Sequence, residues 1–157
     1  MGFAFYFFVA WLITIIFTLM RKRLTFVENA SVFLLILIIS INWSWIIYNE
    51  LNLIKLTAKP LPYTAFLINR SIGIPFIIVI TLNLIKAANS KGKSILIACL
   101  STVTLVILIQ LGKYFDIVTP IKWNILYDVL YIISLHLIGW YSLKFIQKLK
   151  QSEAMSQ

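Results

Sequence analysis

Marked only for polarity, the chain is five long apolar stretches parted by short polar breaks, at 2–20, 32–48, 61–85, 94–112 and 123–143. Each is long enough to cross about 30 Å of hydrocarbon as a helix rising roughly 1.5 Å per residue. The stretches are continuously apolar and lack the polar-every-second-residue alternation of a membrane barrel strand. The pattern therefore predicts an all-α integral membrane protein. It is a bundle of five transmembrane helices in a single membrane domain over 1–157, with 144–157 as a basic tail.

Composition leaves no soluble alternative. A hydrophobic fraction of 61%, 12% charged residues and a mean hydropathy of +0.95 supply more apolar surface than a 157-residue core can bury. In lipid, outward side chains are solvated by acyl chains, and helices satisfy the backbone internally. An odd number of spans also argues against a simple inverted duplication.

The basic residues set the expected orientation. Arg21, Lys22, Arg23, Lys86, Lys91, Lys93, Lys144, Lys148 and Lys150 fall after the first, third and fifth spans. Only Lys55, Lys59, Lys113 and Lys122 fall at the other breaks. That asymmetry over short loops predicts a cytoplasmic carboxyl terminus and an amino terminus outside. The first span has no basic residue before it and three after it, the reverse of a secretory signal, so it is expected to remain in the protein. Richness in Ile, Lys, Asn and Phe suggests a bacterium, hence a bacterial cytoplasmic membrane.

The net charge of +9 is scattered singly along loop ends and lacks the basic groove of a nucleic-acid binder. The expected partner is the anionic cytoplasmic leaflet of the lipid bilayer. Another membrane protein or a homo-oligomer is the candidate protein partner, and no nucleic acid is expected. Phe145, Ile146 and Leu149 could face lipid on an in-plane tail helix while Lys144, Lys148 and Lys150 face headgroups. The lone Cys99 excludes an intramolecular disulfide and reads as a packing residue.

Polar residues inside the spans carry what chemistry is legible, because a charge in hydrocarbon is costly unless paired or functional. Arg70 lies roughly 13 Å below the outer end of the third span at about 1.5 Å per residue. Asp128, Glu50, Asn49, Asn42 and Gln110 all belong to the same half of the membrane in this topology. Asn42, Trp45, Asn49 and Asn52 share one helical rhythm, as do Asn124, Asp128 and Tyr131. Both stripes are expected to face inward. The candidate cluster, binding or structural, is thus Arg70, Asp128, Glu50, Asn42, Asn49, Trp45 and Tyr131. Arg70 is expected to pair with Asp128, or with Glu50 if their spans are neighbours.

Gly73 and Pro75 mark an expected hinge, since the proline leaves the carbonyl of Ser71 without its helical partner. Ser94, Ala98 and Thr102 form a small-residue stripe for close helix approach. His136 is the only histidine and reads as a packing residue, with Gly139 and Trp140 meeting a neighbouring helix closely. No catalytic residue, metal ligand or cofactor is assigned, and an enzyme is the poorest reading. The favoured function is a non-enzymatic accessory, sensory or assembly factor with an outward-facing polar pocket. The alternative is a small transporter or a solute- or lipid-binding membrane subunit.

Overall fold

The computed structural model describes residues 1–155, with side chains as far as Ser152. Its five long apolar helices are Gly2–Leu19, Phe26–Glu50, Pro60–Ala87, Lys91–Tyr114 and Ile125–Ser152, one on each apolar stretch. Each is long and apolar enough to cross a membrane, which makes this a multi-pass helical protein. The α-helical elements are α1 (Gly2–Leu19), α2 (Phe26–Trp45), α3 (Pro60–Ile68), α4 (Ile74–Ala87), α5 (Lys91–Tyr114) and α6 (Ile125–Met155). Two of the spans depart from α geometry. A π-helical turn at Ile46–Glu50 ends α2, and another at Asn69–Gly73 joins α3 to α4.

The centre of the bundle is α4, which touches α1, α2, α5 and α6. Its apolar residues Ile78, Val79 and Leu82 meet Val32 and Ile36 of α2, Leu105 of α5, and Ile132 and Leu135 of α6 in one buried core. Gly139 allows the close approach its position suggests. A Cβ there would stand 3.3 Å from Ile78 Cγ2 and 3.4 Å from Leu82 Cδ1. The opposite faces of the helices expose Leu, Ile and Phe throughout, as a lipid-facing surface requires. Cys99 is on that exposed face rather than in the packed one. On α5 the buried stripe is Ser101, Leu105, Leu108 and Gly112, not the one through Ser94, Ala98 and Thr102.

At the end of the bundle holding Arg21, Lys22 and Arg23, buried polar groups are closely matched. Thr25 and Glu28 form a reciprocal capping box that starts α2. Asn83 of α4 accepts from the backbone N–H of Arg23 (2.9 Å) and Leu24 (3.1 Å) and donates to Asn29 Oδ1 (2.7 Å). Asn29 in turn donates to the carbonyls of Leu24 and Thr25. This knot fixes the α1–α2 connection against α4. The basic tail also differs from the in-plane helix expected for it: α6 runs on without a break to Met155. Gln147 donates to Glu28 Oε1 (3.2 Å) and Lys150 to Thr25 Oγ1 (2.9 Å), so these polar side chains tie the tail to the start of α2. Residues 156–157 lie outside the described residues.

The other end is closed by an element the polarity pattern does not predict. Strand β1 (Ile54–Leu56) pairs antiparallel with β2 (Val118–Pro120), Lys55 opposite Thr119. Left-handed residues, Asn52 (φ 50°) and Asp116 (φ 52°), turn the chain into each strand. After α5 the N–H of Ile117 returns to Gly112 O (3.0 Å) and that of Asp116 to Lys113 O (3.1 Å), a Schellman ending with Asp116 in the left-handed position. The strands give two connecting loops a way to satisfy their backbones where the helices stop. A second core of Tyr6, Ile47, Ile54, Ala65, Ile117 and Val118 lies beneath them.

Candidate functional site

Beneath the sheet, α2, the two π-helical turns, α5 and α6 surround a cavity of about 60 Å³. Arg70, Asp128 and Tyr131 all line it, so three of the expected cluster residues do converge. Ile54, Ile117 and Val118 form its wall on the sheet side, and Tyr48, Asn69 and Ser44 add polar groups. The volume suits a few waters or one small ion, since a site needs roughly 10–15 Å³ of such space per water.

Asp128 is buried, and its carboxylate is fully engaged. Lys113 Nζ donates to Oδ2 at 2.7 Å, Gln110 Nε2 to the same oxygen at 2.9 Å, and Trp123 Nε1 to Oδ1 at 2.8 Å. Its place in the first turn of α6 adds the favourable end of the helix dipole. The expected Arg70–Asp128 pair is therefore corrected: the ion pair is Lys113–Asp128. Lys113 reaches the acid because Gln110 and Lys113 are three residues apart on one face of α5. Counted only as a loop charge, Lys113 hides this role. Trp123 likewise hides as an interface aromatic, although it is an indole donor to Asp128.

Arg70 is left without an anion. Among the described residues it has no carboxylate within 4.0 Å, and its Nε is buried without a hydrogen-bond partner. Its guanidinium lies over the Phe66 ring, 5.4 Å from the centroid. The neighbouring Asn69 Oδ1 is also buried and unpartnered. A cationic fork of N–H donors and an amide acceptor thus border one small cavity, each with a buried atom short of a partner. Tyr131 is held in place by a hydrogen bond to Ser40 Oγ (3.1 Å) and by stacking on Trp43, with ring centroids 5.0 Å apart.

Asn42, Trp45, Asn49 and Glu50 do not join the cluster; all four are exposed. The buried face of α2 runs through Ile36, Ser40 and Ser44 to Ile47, and Asn42 sits about 200° round from Ser40 at roughly 100° per residue. The shared rhythm of the asparagines is real, but the face points outward. Asn42 meets its own need by donating to the Ile38 carbonyl at 2.8 Å, and Asn49 and Glu50 belong to the last turn. Asn124 is exposed too, receiving the Leu126 N–H at the start of α6.

Gly73 ends the π-helical turn and Pro75 follows it, in place of a broken α-helical ladder. Pro75 occupies the first turn of α4, where a missing N–H is tolerated. Gly73 makes room for Asn69: a Cβ there would stand 2.8 Å from Asn69 Oδ1. The glycine thus shapes the wall of the cavity.

A second polar chain crosses the middle of the bundle. Thr81 Oγ1 is 2.7 Å from Ser101 Oγ, which is 2.9 Å from His136 Nε2. Nδ1 of His136 lies 2.9 Å from the Ile132 carbonyl and so carries the proton, leaving Nε2 to accept from Ser101. The orienting group is a carbonyl of the same helix, not an acid. This chain joins α4, α5 and α6, and spacing alone does not reveal it. Among the described residues no group of three His, Cys, Asp or Glu could hold a metal ion. No family model, curated protein or solved structure matches the chain, so the fold and these contacts are the basis for reading its function.

Proposed function

We propose that this protein is a non-enzymatic accessory, sensory or assembly factor of a bacterial cytoplasmic membrane that binds a small anionic group beside Arg70. The observation that carries the reading is the half-buried Arg70 guanidinium, its Nε buried without a partner and no carboxylate beside it among the described residues, at the wall of a cavity next to an acid already neutralised by Lys113. Arg70 and Lys113 against Asp128 leave one positive charge in excess. A small carboxylate or inorganic anion would complete it, with Arg70 as a planar donor fork. The amino terminus lies outside and the carboxyl end in the cytoplasm, on the strength of the charge asymmetry.

The alternative, a small transporter or solute-binding subunit, draws on the two π-helical turns at the cavity. Such turns are frequent where helices serve function, and Tyr48 and Arg70 both belong to them.

Thermal unfolding of the purified protein, with chloride, nitrate, formate or phosphate at constant ionic strength, tests the site. A small anion is expected to stabilise in a saturable way, by about 2.7 kcal/mol at a hundredfold excess over its dissociation constant. Arg70→Met should abolish that response; an equal response in the variant would sink the proposal. For orientation, single cysteines at positions 91 and 122 in a Cys99→Ser background can be treated with an impermeant maleimide on intact cells. Labelling is expected at 122 only, and the reverse pattern inverts the topology.

A further inference from the structure

A groove of about 400 Å³ opens between α1, α2 and α4 at the end of the bundle opposite the sheet. Its floor is aromatic: the Phe76 ring lies 5.1 Å from that of Phe17 and 4.8 Å from that of Phe33. Ala30 and Val79 complete the walls, and Lys22 stands at the mouth with its ammonium 4.8 Å above the Phe17 ring. From the level of the α4 terminus the groove reaches Phe76, roughly 16 Å deeper at about 1.5 Å per residue. Its size lies within the range of small-molecule sites, about 300–1,000 Å³.

We propose that this groove holds an acyl chain of an anionic phospholipid whose phosphate is bound by Lys22. Depth and charge both argue for that occupant. The apolar floor is at chain level, whereas Lys22 is beyond the end of α1 at phosphate level, between the exposed Arg21 and Arg23. Among the residues whose side chains are described, the acid at this end is Glu28, which already accepts from the Thr25 N–H and from Gln147 and makes no ion pair with Lys22. A twofold dimer with its axis at the groove would set Lys22 against its own counterpart. Ala30 matters because its small side chain keeps the slot open.

Native mass spectrometry of the full chain, released from nanodiscs of equimolar phosphatidylglycerol and phosphatidylcholine, reads the occupant directly. Wild type is expected to retain phosphatidylglycerol over phosphatidylcholine by about fivefold, the factor one Lys contributes at an anionic surface. Lys22→Gln should bring that ratio close to one while leaving bound lipid in place, and Lys148→Gln should leave the ratio unchanged. Ala30→Trp, which fills the slot, should remove the retained lipid altogether. An undiminished preference in Lys22→Gln would overturn the headgroup assignment. Undiminished retention in folded Ala30→Trp would overturn the groove, as would a lipid-free dimer in the wild type.

Discussion

The two ends of the bundle handle buried polar groups in opposite ways. At the end holding Asn83, both atoms of its amide are engaged, Asn29 is satisfied, and Glu28 accepts from the start of α2 and from α6. At the sheet end, the two buried side-chain atoms left unpartnered among the described residues, Asn69 Oδ1 and Arg70 Nε, sit together at a cavity, and both π-helical turns adjoin it. An unmatched buried polar atom costs about 1–3 kcal/mol, and more if charged. The fold matches its polar groups closely at one end and leaves two orphaned at the other, and the proposed anion site rests on that contrast.

The largest effect expected on breaking this comparison is at Asp128. Asp128→Ala strands the Lys113 ammonium and should cost about 3–5 kcal/mol of stability, read from unfolding in detergent. Lys113→Ala in the same chain should restore part of that loss, whereas Arg70→Ala should not. If Arg70→Ala restored it instead, the acid would belong to Arg70.

A smaller loss is expected at the opposite end. Asn83→Ala leaves the Arg23 and Leu24 amides without an acceptor and should cost roughly 2 kcal/mol, given about 1–3 for each buried group stranded. Hydrogen exchange at Leu24 should speed up in step. Unchanged exchange there would mean that the α1–α2 connection is held by something other than Asn83.

The smallest change is expected at Arg70. With no carboxylate to strand and a side chain only half-buried, Arg70→Met should shift stability by no more than about 1 kcal/mol in a buffer whose anion is too large for the cavity, with stabilisation as the expected sign. A loss as large as that at Asp128 would give Arg70 a structural role and erase the contrast between the ends.

The polar residues were legible to different degrees. Arg70, Asp128 and Tyr131 were brought together by the alternation of spans alone, because successive helices must reverse direction across the bilayer. Their partners were not. Choosing between Arg70 and Lys113 for Asp128 depends on which helix neighbours α6 and on a few ångströms of reach, and span order says nothing of either. The asparagines of α2 show the limit of periodicity. Asn42, Trp45 and Asn49 share a face, but a shared face does not say whether it looks inward. Ser40 and Ser44, small and less conspicuous, hold the inward one.

What the sequence by itself determined is the apolar solvent and the five long helices. Five continuous apolar stretches can satisfy their backbones in hydrocarbon only as helices, and this follows from local chemistry whatever the neighbours. The Lys113–Asp128 pair, the Thr81–Ser101–His136 chain, the Asn83 knot and the sheet over the cavity were decided by tertiary structure. Each joins groups from separate elements, 15 to 60 residues apart in Lys113–Asp128, Thr81–Ser101, Ser101–His136 and Arg23–Asn83. In a chain whose helices are apolar on every side, apolar patterning cannot specify which faces meet. Here that choice is made by the few buried polar groups, which must find one another because lipid offers them no alternative partner.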